Sequence, residues 1–301
     1  MSRDEDSPVA SPPVRGAAVG ASADHRRRRF DWPNLTRRII SGVVLAGGTL
    51  GAVWVFSPTP DFWRAPFILL VAGGAVLLAF EWSAMATPKG GEGVRLATAL
   101  AVLVTTLFAF LGRYELSGVA IAVGAILAGL AARRGGDMAR DGAYGVFYIA
   151  PACLALAWLI QTPQGVGWTL MLFTCTWAAD IAAYAVGNLL GGPKLWPRYS
   201  PNKTWAGFVG GLAGATAAAT VMAALFMHLS LAGAALIGFV GGLATMAGDL
   251  WESMLKRRFG VKDSGDLIPG HGGLLDRVDG MMFAVMVFAV ARLVVKLGWA
   301  H

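Results

Sequence analysis

The sequence predicts an all-α polytopic membrane protein of about nine transmembrane helices, and three observations carry that prediction. Of 301 residues, 56% are hydrophobic and only 14% charged, with a mean hydropathy of +0.59, whereas a soluble domain carries roughly 25% charged residues. The apolar residues gather into runs close to the length of about 20 that a helix needs to cross a bilayer. The 40 glycines and 11 tryptophans suit helices that pack closely in lipid and anchor at its interface. This composition excludes a secreted disulfide scaffold, a DNA-binding module and an ordinary cytosolic enzyme. The net charge of +7 then reads as loop topology, and no nucleic acid is expected as a partner.

Residues 1–38 hold 13 of the 43 charged residues and show no apolar periodicity. Ending in Arg26 to Arg29 and in Arg37-Arg38, they read as a disordered basic cytoplasmic tail. The polar stretch after Met1 shows no cleavable secretory signal. Nine spans follow, near 39–56, 64–86, 95–112, 116–132, 142–161, 167–190, 206–228, 231–252 and 280–298. The third and fourth divide at Arg113-Tyr114-Glu115. Cys153 and Cys175 both sit in apolar runs, as buried thiols do, and not as a disulfide or a zinc site. No internal repeat is evident.

Basic loops stay cytoplasmic. With nine spans and the N-terminus inside, 21 of the 25 Lys and Arg fall in inside segments. The outside loops keep Arg64 and Arg113, while Arg292 and Lys296 lie in the outer half of the last span, where they can snorkel outward. The expected topology has the N-terminus in the cytoplasm and the C-terminus outside.

Seven of the eighteen acids lie after residue 179. Asp249 and Glu252 fall at i,i+3 on one helix face at the inner end of the eighth span, and Asp276 and Asp279 repeat that spacing where the ninth begins. Both ends belong to one surface, so four carboxylates can converge there. Crowded carboxylates repel and lose hydration unless a cation sits among them. An oxygen-only donor set favours Mg²⁺, with a second metal ion left open. Asp180, thirteen residues into the sixth span, is a fifth candidate ligand, because an intramembrane acid is a functional hypothesis by default. The alternatives are an interhelical hydrogen bond for Asp180 and, for the cluster, helix-end acids pairing with Lys256, Arg257 and Arg277.

Between the acids, Lys256, Arg257, Lys262, Asp263 and His271 alternate with a Gly-rich turn that ends near Arg277. Backbone N–H groups close to an anion, with Lys and Arg around it, make a polyphosphate cradle. A basic loop that meets anionic headgroups is the alternative, and His271 alone reads equally as a structural loop residue. Ser200, Asn202, Lys203 and Thr204 precede the seventh span, where lysine, hydroxyls and a helix N-terminus form an anion site; the alternative is an N-cap beside an interfacial Trp205. Glu81, near the inner end of the second span, is expected to face the bundle interior.

These residues carry a resemblance. Ser253-Met254-Leu255-Lys256-Arg257, then Lys262-Asp263, then Pro269-Gly270-His271-Gly272-Gly273-Leu274-Leu275-Asp276-Arg277-Val278-Asp279, 27 residues in all, resembles the signature of the bacterial phosphatidate cytidylyltransferase (CDP-diacylglycerol synthase) family. Ser200-Pro201-Asn202-Lys203-Thr204-Trp205 and Gly248-Asp249-Leu250-Trp251-Glu252-Ser253 resemble two further family motifs in the same order. The chain departs from the pattern at Asn188, Asn202 and Ala206. The resemblance implies the reaction CTP + phosphatidate → CDP-diacylglycerol + diphosphate with Mg²⁺, in a multi-pass protein of the inner membrane with its site at the cytoplasmic face. It implies catalytic roles for Asp249, Lys256, Arg257, Lys262, Asp263, His271, Asp276, Arg277 and Asp279. Nucleotide binding would fall to Ser200, Asn202, Lys203 and Thr204, and metal binding to Asp180, Asp249, Glu252, Asp276 and Asp279. Expected partners are CTP, phosphatidate, membrane lipid and a second copy of the chain. Residues 39–165 would form an N-terminal group of transmembrane helices, and 166–301 a catalytic region holding the signature loop 253–279. The rivals are another CTP-dependent lipid enzyme, such as a polyprenol kinase or a cytidylyltransferase for a different lipid, and a secondary transporter, which would show its charges near the midplane in paired halves.

Overall fold

The computed structural model describes residues 44, 46–56, 65–227, 229–267 and 272–298. Nine helices appear among them. The first, α1, is described over 46–54. The others are α2 (Ala65–Ala86), α3 (Gly91–Phe110), α4 (Tyr114–Gly135), α5 (Ala139–Gln161), α6 (Gly165–Leu190), α7 (Trp205–Phe226), α8 (Leu231–Arg258) and α9 (Leu275–Lys296). These eight are long and apolar enough to cross a membrane. The expected tail over 1–38 and the start of the first span lie outside the described residues. Between α6 and α7 the chain forms a short antiparallel hairpin, β1 (Lys194–Trp196) and β2 (Ser200–Thr204), pairing Lys194 with Thr204 and Trp196 with Ser200.

The predicted spans match α2 to α9 closely, with one informative difference. The eighth helix runs on to Arg258 and the ninth starts at Leu275, so Lys256, Arg257, Asp276, Arg277 and Asp279 stand on helices, while Lys262 and Asp263 remain in the loop. The residues themselves explain it. Glu252 and Lys256 pair at i,i+4, the bases Lys256, Arg257 and Arg258 fill the last turn of α8, and Asp276 lies in the first turn of α9. Each placement suits the helix dipole.

Consecutive helices pack side by side, and α5 stands at the centre, against α2, α3, α4, α6 and α9. Small residues let the backbones meet. A Cβ on Gly142 would lie 2.5 Å from the Ala128 carbonyl oxygen, and one on Gly238 2.8 Å from that of Ala215. At one end of the bundle, fully buried Trp82 packs on Tyr144, Tyr148 and Phe259, while Phe67 meets Phe56 and Phe110 edge-on at the other.

The loops sort onto two faces. On one, the Asp137 carboxylate accepts N–H groups from Lys89 (2.9 Å) and Gly90 (2.6 Å), and Arg258 pairs with Asp141 at 2.6 Å. On the other, Gln161 Nε2 donates to the Ala109 carbonyl at 3.0 Å. Arg292 also lies at this second face, but it does not extend outward as the sequence suggests. It is buried, donates to the Pro163 carbonyl (3.0 Å) and Thr162 Oγ1 (3.4 Å), and lies over the Trp168 ring. The turn after α5 offers carbonyls that its own helix cannot satisfy, so a guanidinium with five donors finds partners without reaching water.

The tightest crossing beside the charged residues is that of α8 over α9. A Cβ on Gly248 would lie 2.5 Å from the Asp279 carbonyl oxygen and 3.0 Å from Gly280 Cα. Gly248→Ala must therefore push two backbones apart, at a cost of about 1–3 kcal/mol. Thermal unfolding in detergent should show a lower midpoint for this variant, and an unchanged midpoint would refute the close crossing.

Candidate active site

The charged ends of α6, α8 and α9 and the hairpin close one end of a cavity of about 1120 Å³ that runs on between α1, α2, α5, α6 and α9. Its chemistry is divided. One end is lined by Asp180, Lys203, Asp249, Asp276, Arg277 and Asp279, and the rest by apolar side chains that include Phe67, Leu78, Leu156, Trp177, Met282 and Val285. The polar residues come from four elements. Asp180 projects from α6, Lys203 from β2 and Asp249 from α8, while α9 supplies Asp276 and Asp279 at the i,i+3 spacing read from the sequence, with Arg277 between them.

Two ion-pair systems hold most of the charges near this end. Lys203 forms an ion pair with Asp249, which joins the two motifs that lie 46 residues apart (249 − 203). Asp180 lies within electrostatic reach of Asp249, Lys203 and Arg277. Behind the cavity, Lys256 bridges Glu252 (3.0 Å) and Asp276 (2.6 Å). Asp276 also accepts the backbone N–H groups of Ser264 (3.1 Å) and Gly273 (3.0 Å). Glu252 is fully buried, with Lys256 as its ion-pair partner. Its carboxyl meets that of Asp279, which in turn receives the Gly280 N–H at 2.7 Å. For Glu252 and Asp276 the pairing with Lys256 is thus the one considered from sequence as the alternative to metal binding. Among the described residues no three acidic, His or Cys side chains are gathered as a metal cage. Mg²⁺ does not require one, since it commonly takes one or two carboxylates plus substrate phosphates and keeps several waters.

Not every candidate residue reaches the cavity. Arg257, Lys262 and Asp263 are exposed on the loop side, Arg257 donating to the Val261 carbonyl at 3.4 Å. His271 lies outside the described residues. Asn202 and Thr204 line the cavity, and Ser200 does not. Residues 200–204 form a strand and not a loop running into a helix, and Thr204 caps α7 by accepting the Gly207 N–H at 3.1 Å. The hairpin is easily missed in sequence, because its strands are three and five residues long. It also brings in Lys194, whose ammonium donates to the Asn202 carbonyl at 3.5 Å. Two acids from the first half of the chain join this end, namely Asp141 through Arg258 and Glu81 through the loop before α9. Glu81 carries a signal in sequence, as an acid inside an apolar run, but nothing there names its partner.

Fold and cavity together define a polytopic membrane protein with a charged site at one end of its bundle, open to apolar walls. The chain belongs to the cytidylyltransferase family, which matches residues 36–295. It is similar to the phosphatidate cytidylyltransferase of Brucella suis biovar 1, 36% identical over 261 residues, which cover 83% of this chain and 90% of that protein. The phosphatidate cytidylyltransferase of Pseudomonas aeruginosa is 36% identical over 284 residues, covering 88% and 98%. That of Staphylococcus saprophyticus is 42% identical over 148 residues, covering 48% and 56%.

Lys256 is the shared counter-ion of two carboxylates in a poorly hydrated place. Lys256→Met should lower stability by about 3–5 kcal/mol, because it leaves buried charge without compensation. Thermal unfolding in detergent measures it, with Lys256→Arg retaining more stability than Met. Equal stability of the Met variant and the parent chain would show that the bridge has no structural weight.

Proposed function

We propose that the chain transfers the cytidylyl group of CTP to phosphatidate, giving CDP-diacylglycerol and diphosphate. The observation that carries this reading is the divided cavity, in which a cluster of Lys, Arg and carboxylates adjoins an apolar space built from membrane-spanning helices. A lipid phosphate fits such a place, with its chains against Phe67, Leu78 and Met282 and its headgroup near Arg277. A similar name is borne by the relatives, and the family match covers most of the chain.

The reaction joins two anions. A phosphatidate oxygen attacks the α-phosphorus of CTP, a new P–O bond forms, and the bond to the β-phosphate oxygen breaks to release diphosphate. The attacking oxygen is already an oxyanion, so no Ser-His or Cys-His pair is required. What the site must supply is positioning and positive charge. Lys203 is assigned to the CTP phosphates and Arg277 to the lipid phosphate. The Lys203–Asp249 pair would then open on binding, with the ammonium turning to phosphate. Mg²⁺ is the metal that the donor set suits, since the carboxylates of Asp249 and Asp279 are hard oxygen ligands at the charged end of the cavity. When bound, Mg²⁺ would neutralise charge on the phosphates. Asp180 would keep the carboxylate set close to Lys203 and Arg277.

We assign the charged end to the cytoplasmic side, since CTP is soluble there and basic loops remain there. Cysteines placed at Ser200 and at exposed Asp266 should react with an impermeant thiol reagent from that side, and one at Gln164 from the other. Cys153 and Cys175 are buried and should stay silent. Labelling of Ser200 and Asp266 from opposite sides would overturn the arrangement.

The reaction itself is tested with purified protein, labelled CTP and phosphatidate, with polyprenol offered in parallel. Labelled CDP-lipid is expected from phosphatidate alone. Lys203→Ala should raise KM for CTP, lower kcat, or both, with little change in phosphatidate dependence. A defect selective for phosphatidate, or no defect, would remove Lys203 from the nucleotide side.

A further inference from the structure

Glu81 belongs to none of the charged motifs, and it does not line the cavity. It leaves α2 near its inner end, is only 8% exposed, and reaches into the loop between α8 and α9. One carboxylate oxygen accepts the Leu274 N–H at 2.8 Å. The other accepts the Leu275 N–H at 2.7 Å and the Ser264 hydroxyl at 3.3 Å. Leu274 is the N-cap of α9, and no side-chain cap bond is made there. The first N–H groups of a helix have no partners within it, and when buried they must find acceptors elsewhere. A carboxylate from 193 residues away in the chain fills that role, and its charge meets the positive end of the helix.

The loop is shaped around this carboxylate. A Cβ on Gly273 would overlap Ser264 Oγ and lie 2.9 Å from Glu81 Oε2, and one on Gly265 would lie 3.3 Å from Glu81 Oε1. Ser264 is shared, since its hydroxyl goes to Glu81 while its N–H goes to Asp276. Glu81 and Asp276 therefore hold the same turn from two sides. Only Asp276 faces the cavity.

We infer that Glu81 is a positioning residue for the reaction proposed above, acting as an N-cap in trans that fixes where α9 begins. With that end fixed, Asp276, Arg277 and Asp279 stand at the charged end of the cavity. The inference rests on the proposed function for its kinetic part only; the clamp itself is a matter of local structure. A displacement of about 1 Å in a reacting group can lower the rate on the order of 100-fold, so losing the clamp should act on kcat.

Glu81→Gln tests it in the full-length protein, since it keeps the shape, removes the charge and turns one acceptor into a donor that faces an N–H. Hydrogen exchange at residues 274–275 should be roughly tenfold faster, as expected from losing hydrogen bonds to a charged group. With CTP and phosphatidate, kcat should fall about 100-fold, while KM for CTP, assigned to Lys203, changes little. If Glu81→Gln fails to fold, Ser264→Ala removes only the 3.3 Å bond and should give smaller changes in the same two readouts. Unchanged exchange at 274–275 overturns the clamp. Faster exchange with unchanged kcat overturns the positioning role. A parent chain that forms no CDP-lipid overturns the function, and the exchange measurement still decides the clamp.

Discussion

Lys256 stands between Glu252 and Asp276 where the bundle admits little water, and the charged end of the molecule is arranged around that bridge. One ammonium offsets two carboxylates only in part. The remaining negative charge is met by backbone N–H groups from Ser264 and Gly273, and Glu252 passes on to Asp279. Burying such groups without partners costs far more than their pairing returns. That inequality explains why Ser264 and Gly273 both turn their N–H groups to Asp276, why glycine stands at 265 and 273, and why Glu81 crosses from α2 to meet them. The bridge ties α8 to α9, and the Glu81 contacts tie both to the first half of the chain.

Close helix contacts then decide where space is left. Glycine and alanine bring α6 against α7, α7 against α8 and α8 against α9 almost backbone to backbone. The large side chains are collected elsewhere, around Trp82 and around Phe67. Between these well-filled regions lies the cavity, walled by apolar residues of α2, α5, α6 and α9 and charged at one end. A site of this shape suits one reactant that is mostly hydrocarbon and another that is mostly phosphate. The same division leaves the charged residues at one end of the bundle.

Much of this was legible in the residues, and what was not has a physical reason in each case. The apolar runs marked α2 to α9 because a bilayer demands length and hydrophobicity, which are properties of consecutive residues. The i,i+3 spacing of Asp249 with Glu252 and of Asp276 with Asp279 was enough to put each pair on one helix face. The hairpin at 194–204 was not visible, because strands this short leave no periodic pattern and Pro201 disguises one of them. Arg292 was read as snorkelling outward, but the carbonyls it meets belong to a turn about 130 residues earlier.

The sequence alone determined the membrane class, the order and approximate extent of the helices, and the identity of the charged residues gathered in the last third of the chain. These depend on local composition, periodicity and motif spacing. Which carboxylate faces a cavity and which is spent on a lysine was decided by tertiary structure. Asp249 and Glu252 share one helix face in sequence, yet Asp249 lines the cavity and meets Lys203 on a hairpin, while Glu252 is buried behind it against Lys256. The place of Glu81 was decided in the same way, since its partners lie more than 180 residues along the chain. A hydrogen bond between distant segments is fixed only when the helices between them have packed.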